Sequence, residues 1–529
     1  MTAYVTLEKY FQEALVESIP DWFSEVVVGI NDAYGNPSKP RWHQVTGLNY
    51  CFNQTRTGIW DEQGTGKTLI AQAFAIWNVA VGNTVYCLMP PVLIGQFYES
   101  LLETFKGVES RINVVKYKGT VAERSKIREK INSCSPCIIL MSYKVFDIDK
   151  ELLPKVHCLI ADECKIIGNP ESKTCKSITA ALGKFGDCYA LIMNGTPANN
   201  MLDDLFGYMK FLTPWVYHSK LSFDNKHVKY KKLPVRLKGG KLRQVRQVDG
   251  FENIDEMFKN FFIASRRVEK HQVVELPPKN IIPVSVELSP AHQFRYERFF
   301  EERLLEFADG TVLDGSASSS LRQLAMQCIA DPSILGLTEE SEVLNLAKQM
   351  TDDIVYQGKK VFVLVYYRKT VEKLAKLLAK HNPALIYGGS SNNEAQKNKF
   401  LKDPECMVCI ANYQSGGVGL NLQGVCSEAI CVEPTTVPGV FDQACDRLHR
   451  TGQKESVNIY ILKAKGTLYV KAISDMLKKR DLNAKVVRPV DFISELFGRT
   501  QEDSESGTGE VVEMRSHDTA GLAMAPREC

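Results

Sequence analysis

Twice along this chain, short apolar, β-branched runs alternate with amphipathic stretches, and this repeat restricts the possible folds more than any other feature. The first series includes Val85-Tyr86-Cys87-Leu88-Met89, Ile138-Ile139-Leu140-Met141, Cys158-Leu159-Ile160-Ala161 and Leu191-Ile192-Met193. The second includes Val361-Phe362-Val363-Leu364-Val365, Ala384-Leu385-Ile386-Tyr387, Val408-Cys409-Ile410, Ile430-Cys431-Val432 and Asn458-Ile459-Tyr460-Ile461-Leu462. Strands without polar alternation are buried on both faces, so each series reads as a parallel sheet wrapped in helices. The expected fold class is α/β with two such domains, and 529 residues at 44% hydrophobic content suffice to fill both cores.

Composition narrows the class of molecule. The net charge of +3 arises from 65 basic and 62 acidic residues, so no overall field calls for nucleic acid or membrane, and any such argument rests on local charge. No apolar run reaches membrane-spanning length and the N-terminus lacks a basic-then-apolar signal, which predicts a soluble, intracellular chain with no membrane partner. The fifteen cysteines sit mostly in apolar strands and helices, as reduced packing residues do. Cys134-Ser135-Pro136-Cys137 has ligand-like spacing, but with no second pair it reads as a loop entering a strand.

One segment carries chemistry directly. Trp60-Asp61-Glu62-Gln63-Gly64-Thr65-Gly66-Lys67-Thr68 reads as a phosphate-binding loop opening a helix. Gly64, Thr65 and Gly66 turn backbone N–H groups onto a phosphate, Lys67 reaches the β/γ-phosphates, and Thr68 offers a hydroxyl to Mg²⁺. The helix that follows turns its positive end to the same anion. Further on, the apolar run Leu159-Ile160-Ala161 ends in Asp162-Glu163, where a parallel strand delivers side chains to a nucleotide crevice. Asp162 is placed to hold Mg²⁺ through water and Glu163 to polarise the attacking water. In the second half, Gln443-Ala444-Cys445-Asp446-Arg447-Leu448-His449-Arg450-Thr451-Gly452-Gln453 puts two arginines three residues apart, a spacing that shares one helix face. Arg447 and Arg450 are candidates to stabilise charge on a transferring phosphoryl group, against the alternative of a surface salt-bridge helix.

Together these segments resemble the Swi/Snf-type branch of superfamily-two helicases and translocases, over about residues 39 to 480. The resemblance implies two RecA-like parallel-sheet domains joined by a helical spacer, with ATP and Mg²⁺ between them and DNA as partner. Pro40-Arg41-Trp42-His43-Gln44 matches the family's adenine-reading segment, with Gln44 as the adenine contact, and Asp61 stands where that family carries an acid. Asp162-Glu163 and Asn169-Pro170 match its second motif, and Gly195-Thr196-Pro197 with Asn200 its third. Leu276-Pro277-Pro278-Lys279, Leu288-Ser289-Pro290 with Gln293 and Tyr296, and Leu321-Arg322-Gln323-Leu324 are similar to that branch's own spacer. Gly388-Gly389-Ser390-Ser391, Gly416-Gly417-Val418-Gly419-Leu420-Asn421-Leu422 and the arginine motif follow in the second domain, where Gly419 is a further nucleotide contact. Two positions depart from the pattern: Lys165 stands where a histidine links the ATP site to the third motif, and Gln396 where an arginine is usual.

The expected organisation is an extension over 1–38, a first domain over 39–275, a helical spacer over 276–345, a second domain over 346–490 and a largely disordered tail over 491–529. Within the first domain, 219–247 holds ten Lys/Arg against the single acid Asp224, which reads as an inserted basic loop or hairpin able to contact phosphates. DNA backbone contacts are also expected around Pro90-Pro91, Ser142-Tyr143, Ser390-Ser391 and Ser415-Gly416-Gly417. The functional expectation is an ATP-driven motor on duplex DNA, cytoplasmic in a bacterium or virus and nuclear in a eukaryote. The competing readings are an RNA helicase and a nucleotide-controlled interaction module with weak ATPase.

Overall fold

The computed structural model describes residues 5–486, apart from 17–18, 32–36, 184–185, 187, 199–200, 237–241, 303, 307–311, 315–317, 338–339, 391 and 414–419. The tail over 491–529, Gly419, Asn200, Ser391 and Ser415-Gly416-Gly417 lie outside the described residues. Two parallel sheets organise the chain. The first has seven strands in the order Ser265–Arg266, Arg56–Ile59, Tyr189–Met193, Cys158–Ala161, Val85–Leu88, Ile138–Met141, Val114–Lys116. The second has six, in the order Lys279–Val286, Val457–Ala464, Cys426–Cys431, Lys360–Val365, Val408–Asn412, Ala384–Ile386. Every pairing within these two sheets is parallel.

The apolar runs account for the sheets' centres. Val85–Leu88, Ile138–Met141 and Cys158–Ala161 are buried along their whole length, with helices on both faces excluding water. Strands toward the sheet margins carry polar residues as well. Arg56–Ile59 is fully buried despite its charge, because Arg56 Nη1 donates to the Phe211 carbonyl at 3.0 Å. Lys279–Val286, with polar residues and Pro283, forms the edge of the second sheet, the position where a missing N–H is tolerated.

The N-terminal helix Leu7–Glu13 buries Leu7, Tyr10 and Phe11, and the Tyr10 hydroxyl donates to the Gln44 carbonyl at 3.4 Å. The basic stretch forms the helix Lys220–His227 and the antiparallel strands Val228–Arg236 and Leu242–Phe251. Its lysines are partly neutralised by acids lying just beyond the stretch: Lys226 pairs with Glu256 at 2.5 Å, Lys229 with Glu252 at 3.3 Å and Lys231 with Asp249 at 2.8 Å. Between the helices Pro290–Glu302 and Ser318–Ala330 lies a short antiparallel pair, Leu304–Glu306 with Val312–Asp314.

Candidate functional site

The loop leaving Arg56–Ile59 places Gly64 at φ +85° and Gly66 at φ +91°, a backbone region that side chains strain to enter. The helix Lys67–Ala80 starts from Gly66. Within the loop, Lys67 Nζ donates to the carbonyls of Asp61 at 2.5 Å and Glu62 at 2.9 Å, and the Thr65 hydroxyl donates to the Glu62 carbonyl at 2.8 Å. Burial lowers the Lys67 pKa, and Asp61, Glu163 and Asp162 oppose that shift. The acid at position 61 has a structural purpose. Asp61 is fully buried and pairs with Arg266 at 2.5 Å, while Arg266 also donates to the His43 carbonyl at 2.8 Å and Thr46 Oγ1 at 3.0 Å. The loop is thereby tied to the helix Trp42–Phe52 that carries Gln44.

Gln44 faces the same loop. Its Oε1 accepts from Arg41 N–H at 2.8 Å, and its Nε2 lies 3.5 Å from the carbonyls of Thr65 and of Gly66. A Cβ at Gly66 would push that amide aside, and it is the positive φ that makes a side chain costly there. A cavity of about 560 Å³ opens beside Gln44, Gly66 and Thr68, and Gly29 and Ile30 form part of its wall. The N-terminal extension therefore borders the candidate nucleotide site.

At the end of Cys158–Ala161, Glu163 N–H donates to Asp162 Oδ1 at 2.9 Å and the Tyr143 hydroxyl donates to the Asp162 carbonyl at 2.8 Å. Burial and then the neighbouring Glu163 push the Asp162 carboxyl up, with Lys67 opposing. Glu163 sits at φ +50°, a strained conformation for a residue with a side chain. Its Oε1 accepts from Gln443 Nε2 at 3.3 Å and lies 3.5 Å from Gln63 Nε2, while its buried Oε2 has no partner among the described residues. The third motif closes in beside it: a Cβ on Gly195 would lie 2.6 Å from Gln63 Cγ and 3.5 Å from Lys67 Nζ.

The arginine motif reaches this site from the second sheet's lobe. The helix Pro438–Cys445 ends before both arginines, so they ride on the turn beyond it rather than on a helix face, as their spacing had suggested. That turn is held by Arg447 N–H to the Ala444 carbonyl at 3.2 Å and Gln453 N–H to the Arg450 carbonyl at 3.0 Å, and Gly452 at φ +99° breaks it. Arg447 Nη2 donates to Gln63 Oε1 at 3.4 Å, and the Thr451 hydroxyl donates to the Gly64 carbonyl at 3.4 Å. Arg450 packs on the phosphate loop itself, its Nε 3.7 Å from where a Cβ on Gly64 would stand, and it also bonds Asn421. Burial and the charge of Arg450 both lower the Arg447 pKa.

Both departures acquire structural accounts. Lys165 Nζ donates to Gln443 Oε1 at 3.1 Å, so Lys165, Gln443 and Glu163 form a relay between the lobes. Gln396 Oε1 accepts from Leu385 N–H at 3.0 Å, fixing its helix to a strand edge. Residues not singled out in the sequence are also central here: Gln63 contacts Glu163 and Arg447, while Arg267 donates to the Trp60 carbonyl at 3.0 Å and the Gly195 carbonyl at 3.2 Å. The only sequence signal was the paired charge of Arg266-Arg267 just ahead of Leu276-Pro277-Pro278.

Comparison with known proteins places this arrangement. The SNF2-related domain family matches residues 43–333, more than half of the chain. This chain belongs to that family. The helicase conserved C-terminal domain matches residues 344–452, and the two matches together place the chain among the Swi/Snf-type, helicase-like proteins, with one match over each parallel-sheet lobe. An uncharacterised ATP-dependent helicase of Mycoplasma genitalium is 25% identical over 448 residues, covering 82% of this chain and 41% of that protein. The transcription regulatory protein SNF2 of Saccharomyces cerevisiae is 23% identical over 496 residues, covering 87% of this chain and 28% of its own length. The SNF2-related chain thus spans less than half the length of these curated relatives. A solved structure of the Sulfolobus solfataricus SWI2/SNF2 ATPase core in complex with dsDNA is 21% identical and covers 88% of this chain and 96% of that one, at a TM-score of 0.37. No helix among the described residues is long and apolar enough to cross a membrane.

Proposed function

We propose that this SNF2-related chain is an ATP-hydrolysing motor that moves on duplex DNA. The observation that carries the reading is the approach of one lobe's arginines to the other lobe's phosphate loop, with Arg450 against Gly64, Arg447 on Gln63 and Gln443 on Glu163. Hydrolysis at such a junction is linked to opening and closing of the lobes, the motion that lets each grip a strand in turn. The loop glycines at positive φ, Lys67 and the spare oxygen of Glu163 suit a nucleoside triphosphate. Mg²⁺, when bound, neutralises phosphate charge, and Thr68 and Asp162 are the residues that would hold it. Glu163 orients the attacking water, Arg447 and Arg450 stabilise the transferring phosphoryl group, and Gln44 borders the base. The expected domain limits are those read from the sequence, with duplex DNA held along both lobes through its phosphates.

The test is ATP turnover with duplex DNA, single-stranded DNA or RNA, paired with displacement of a third strand from a triplex. Duplex stimulation with triplex displacement is expected. Stimulation by RNA alone would make it an RNA helicase, and turnover indifferent to all three would leave an interaction module.

A further inference from the structure

The crossing from the first sheet to the second does more than connect them. Between Ser265–Arg266 and Lys279–Val286 the chain touches the phosphate loop and the arginine turn in succession. Glu62 is clamped to it: Glu62 N–H donates to the Val268 carbonyl at 2.9 Å, Arg267 Nη2 lies 3.3 Å from Glu62 Oε1, and Lys270 N–H donates to Glu62 Oε2 at 2.8 Å. The Lys270 side chain then points the other way. Its Nζ meets Asp446 Oδ1 at 3.0 Å and donates to the His449 carbonyl at 3.0 Å. Asp446 immediately precedes Arg447, and His449 immediately precedes Arg450. Lys279 Nζ stands 3.4 Å from the same Asp446 oxygen, and His449 Nε2 donates to the Pro277 carbonyl at 2.8 Å. Lys270 and Asp446 are well buried, with side chains 7% and 13% exposed. Burial pushes the Asp446 carboxyl up, but Lys270 and Lys279 more than reverse this and hold it well below the usual carboxylate range.

One residue therefore binds the phosphate loop through its backbone and the base of the arginine turn through its side chain. We propose that Lys270, paired with Asp446, is the positioning residue that sets how far Arg447 and Arg450 advance onto the phosphate loop. The inference rests on the arginines acting in hydrolysis as proposed above. It assigns Lys270 no contact with nucleotide.

The test is Lys270→Gln, with Lys270→Arg as the conservative variant. Lys279 still faces Asp446 in Lys270→Gln, so the carboxylate keeps a cationic partner and the fold is preserved. We expect turnover to fall about ten-fold or more with ATP affinity, read by a fluorescent nucleotide, nearly unchanged, because a small misplacement of a charged group costs rate rather than binding. Lys270→Arg restores most of the turnover. In an Arg447→Ala background, Lys270→Gln costs less than it does in the unaltered chain, since one of the two groups it positions is already gone.

Hydrogen exchange without nucleotide gives a readout independent of turnover: Lys270→Gln raises exchange in residues 61–66 and 446–453 together and leaves the remaining second-lobe strands protected. Unchanged exchange there, or a turnover loss fully additive with Arg447→Ala, overturns the proposal. Exchange rising throughout the second lobe also overturns it, in favour of a purely structural pair. An absence of ATP turnover in the unaltered chain refutes the motor reading, whereas the exchange result still decides whether Lys270 couples the two segments.

Discussion

The central strands of the two lobes both end in an acid, with opposite outcomes. Cys158–Ala161 delivers Asp162-Glu163 and Cys426–Cys431 leads to Glu433. Burial pushes the Asp162 and Glu433 carboxyls up alike. Glu433, 1% exposed, is saturated: it accepts from Tyr366 N–H at 2.7 Å, Tyr367 N–H at 2.9 Å and Thr370 Oγ1 at 2.6 Å, fastening the start of the helix Arg368–Leu377. Glu163 keeps an oxygen without a partner among the described residues, a left-handed backbone and contacts from the opposite lobe. Both carboxylates stand at the carboxyl edge of a parallel sheet, where ligands bind in α/β folds, so position alone does not separate them. Spare hydrogen-bonding capacity and backbone strain do.

The sharpest way to break this comparison is to make one substitution at both places. Glu163→Gln is expected to abolish steady-state ATP hydrolysis while ATP stays bound, whereas Glu433→Gln retains turnover. Lys67→Ala loses binding as well, because it removes charge from the β/γ-phosphate site. Nucleotide affinity and turnover measured on the three variants decide it, and normal turnover in Glu163→Gln would sink the assignment of the first lobe's acid.

Next in size is what the second lobe contributes across the junction. Arg450→Ala, and Arg447→Ala beside it, should lower turnover by roughly 10³-fold with little change in ATP affinity, since their charge matters chiefly as the phosphoryl group transfers. Unchanged turnover with a lowered melting temperature would reduce the arginines to packing groups and leave the first lobe as the whole active site.

How much of this was legible in sequence follows from what each feature needs. The central strands announced themselves because burial on both faces demands unbroken apolar residues, and the phosphate loop because its backbone demands Gly64 and Gly66 at fixed spacing. The marginal strands did not, since Arg56 is reconciled with burial only by the Phe211 carbonyl and Pro283 only by an edge position. The roles of Gln63 and Lys270 were hidden for a different reason. Both arise from contacts among segments near residues 62, 270 and 446, separations that no local pattern encodes.

A smaller effect is expected where the lobes meet at Lys165. Its ammonium donates to Gln443 Oε1, which leaves the Gln443 amide to donate to Glu163. Lys165→Met frees that amide to rotate, so Gln443 no longer holds Glu163 in one orientation. The ratio of DNA-stimulated to basal ATP turnover should change several-fold, with the maximal rate less affected. An unchanged ratio would show that Glu163 is oriented from its own lobe alone.

The smallest expected effect concerns Glu433 and sharpens why the second acid is not a site. Three donors favour its ionised form, but burial outweighs them, with Asp331 adding to the upward shift, and the carboxyl is raised from 4.5 to about 7. Tyr367, Tyr413 and Tyr469 are its other titratable neighbours, and all three are pushed up by burial and so stay neutral through this range. A carboxyl raised on folding holds its proton more readily in the native state. Its stabilising contribution is therefore complete below the unfolded value near 4.5 and is lost as pH rises through about 7. Glu433→Gln offers the same carbonyl acceptor to the Tyr366 and Tyr367 N–H groups, and the Thr370 hydroxyl can accept from its amide. The variant cannot ionise, so its stability lacks this slope. Melting curves of both proteins from pH 5 to 8 should diverge, the unaltered chain losing roughly 1–3 kcal/mol relative to the variant and no more above that window. Parallel curves would mean that the three hydrogen bonds hold Glu433 ionised throughout, leaving strain and spare valence at Glu163 as the sole physical distinction between the two strand ends.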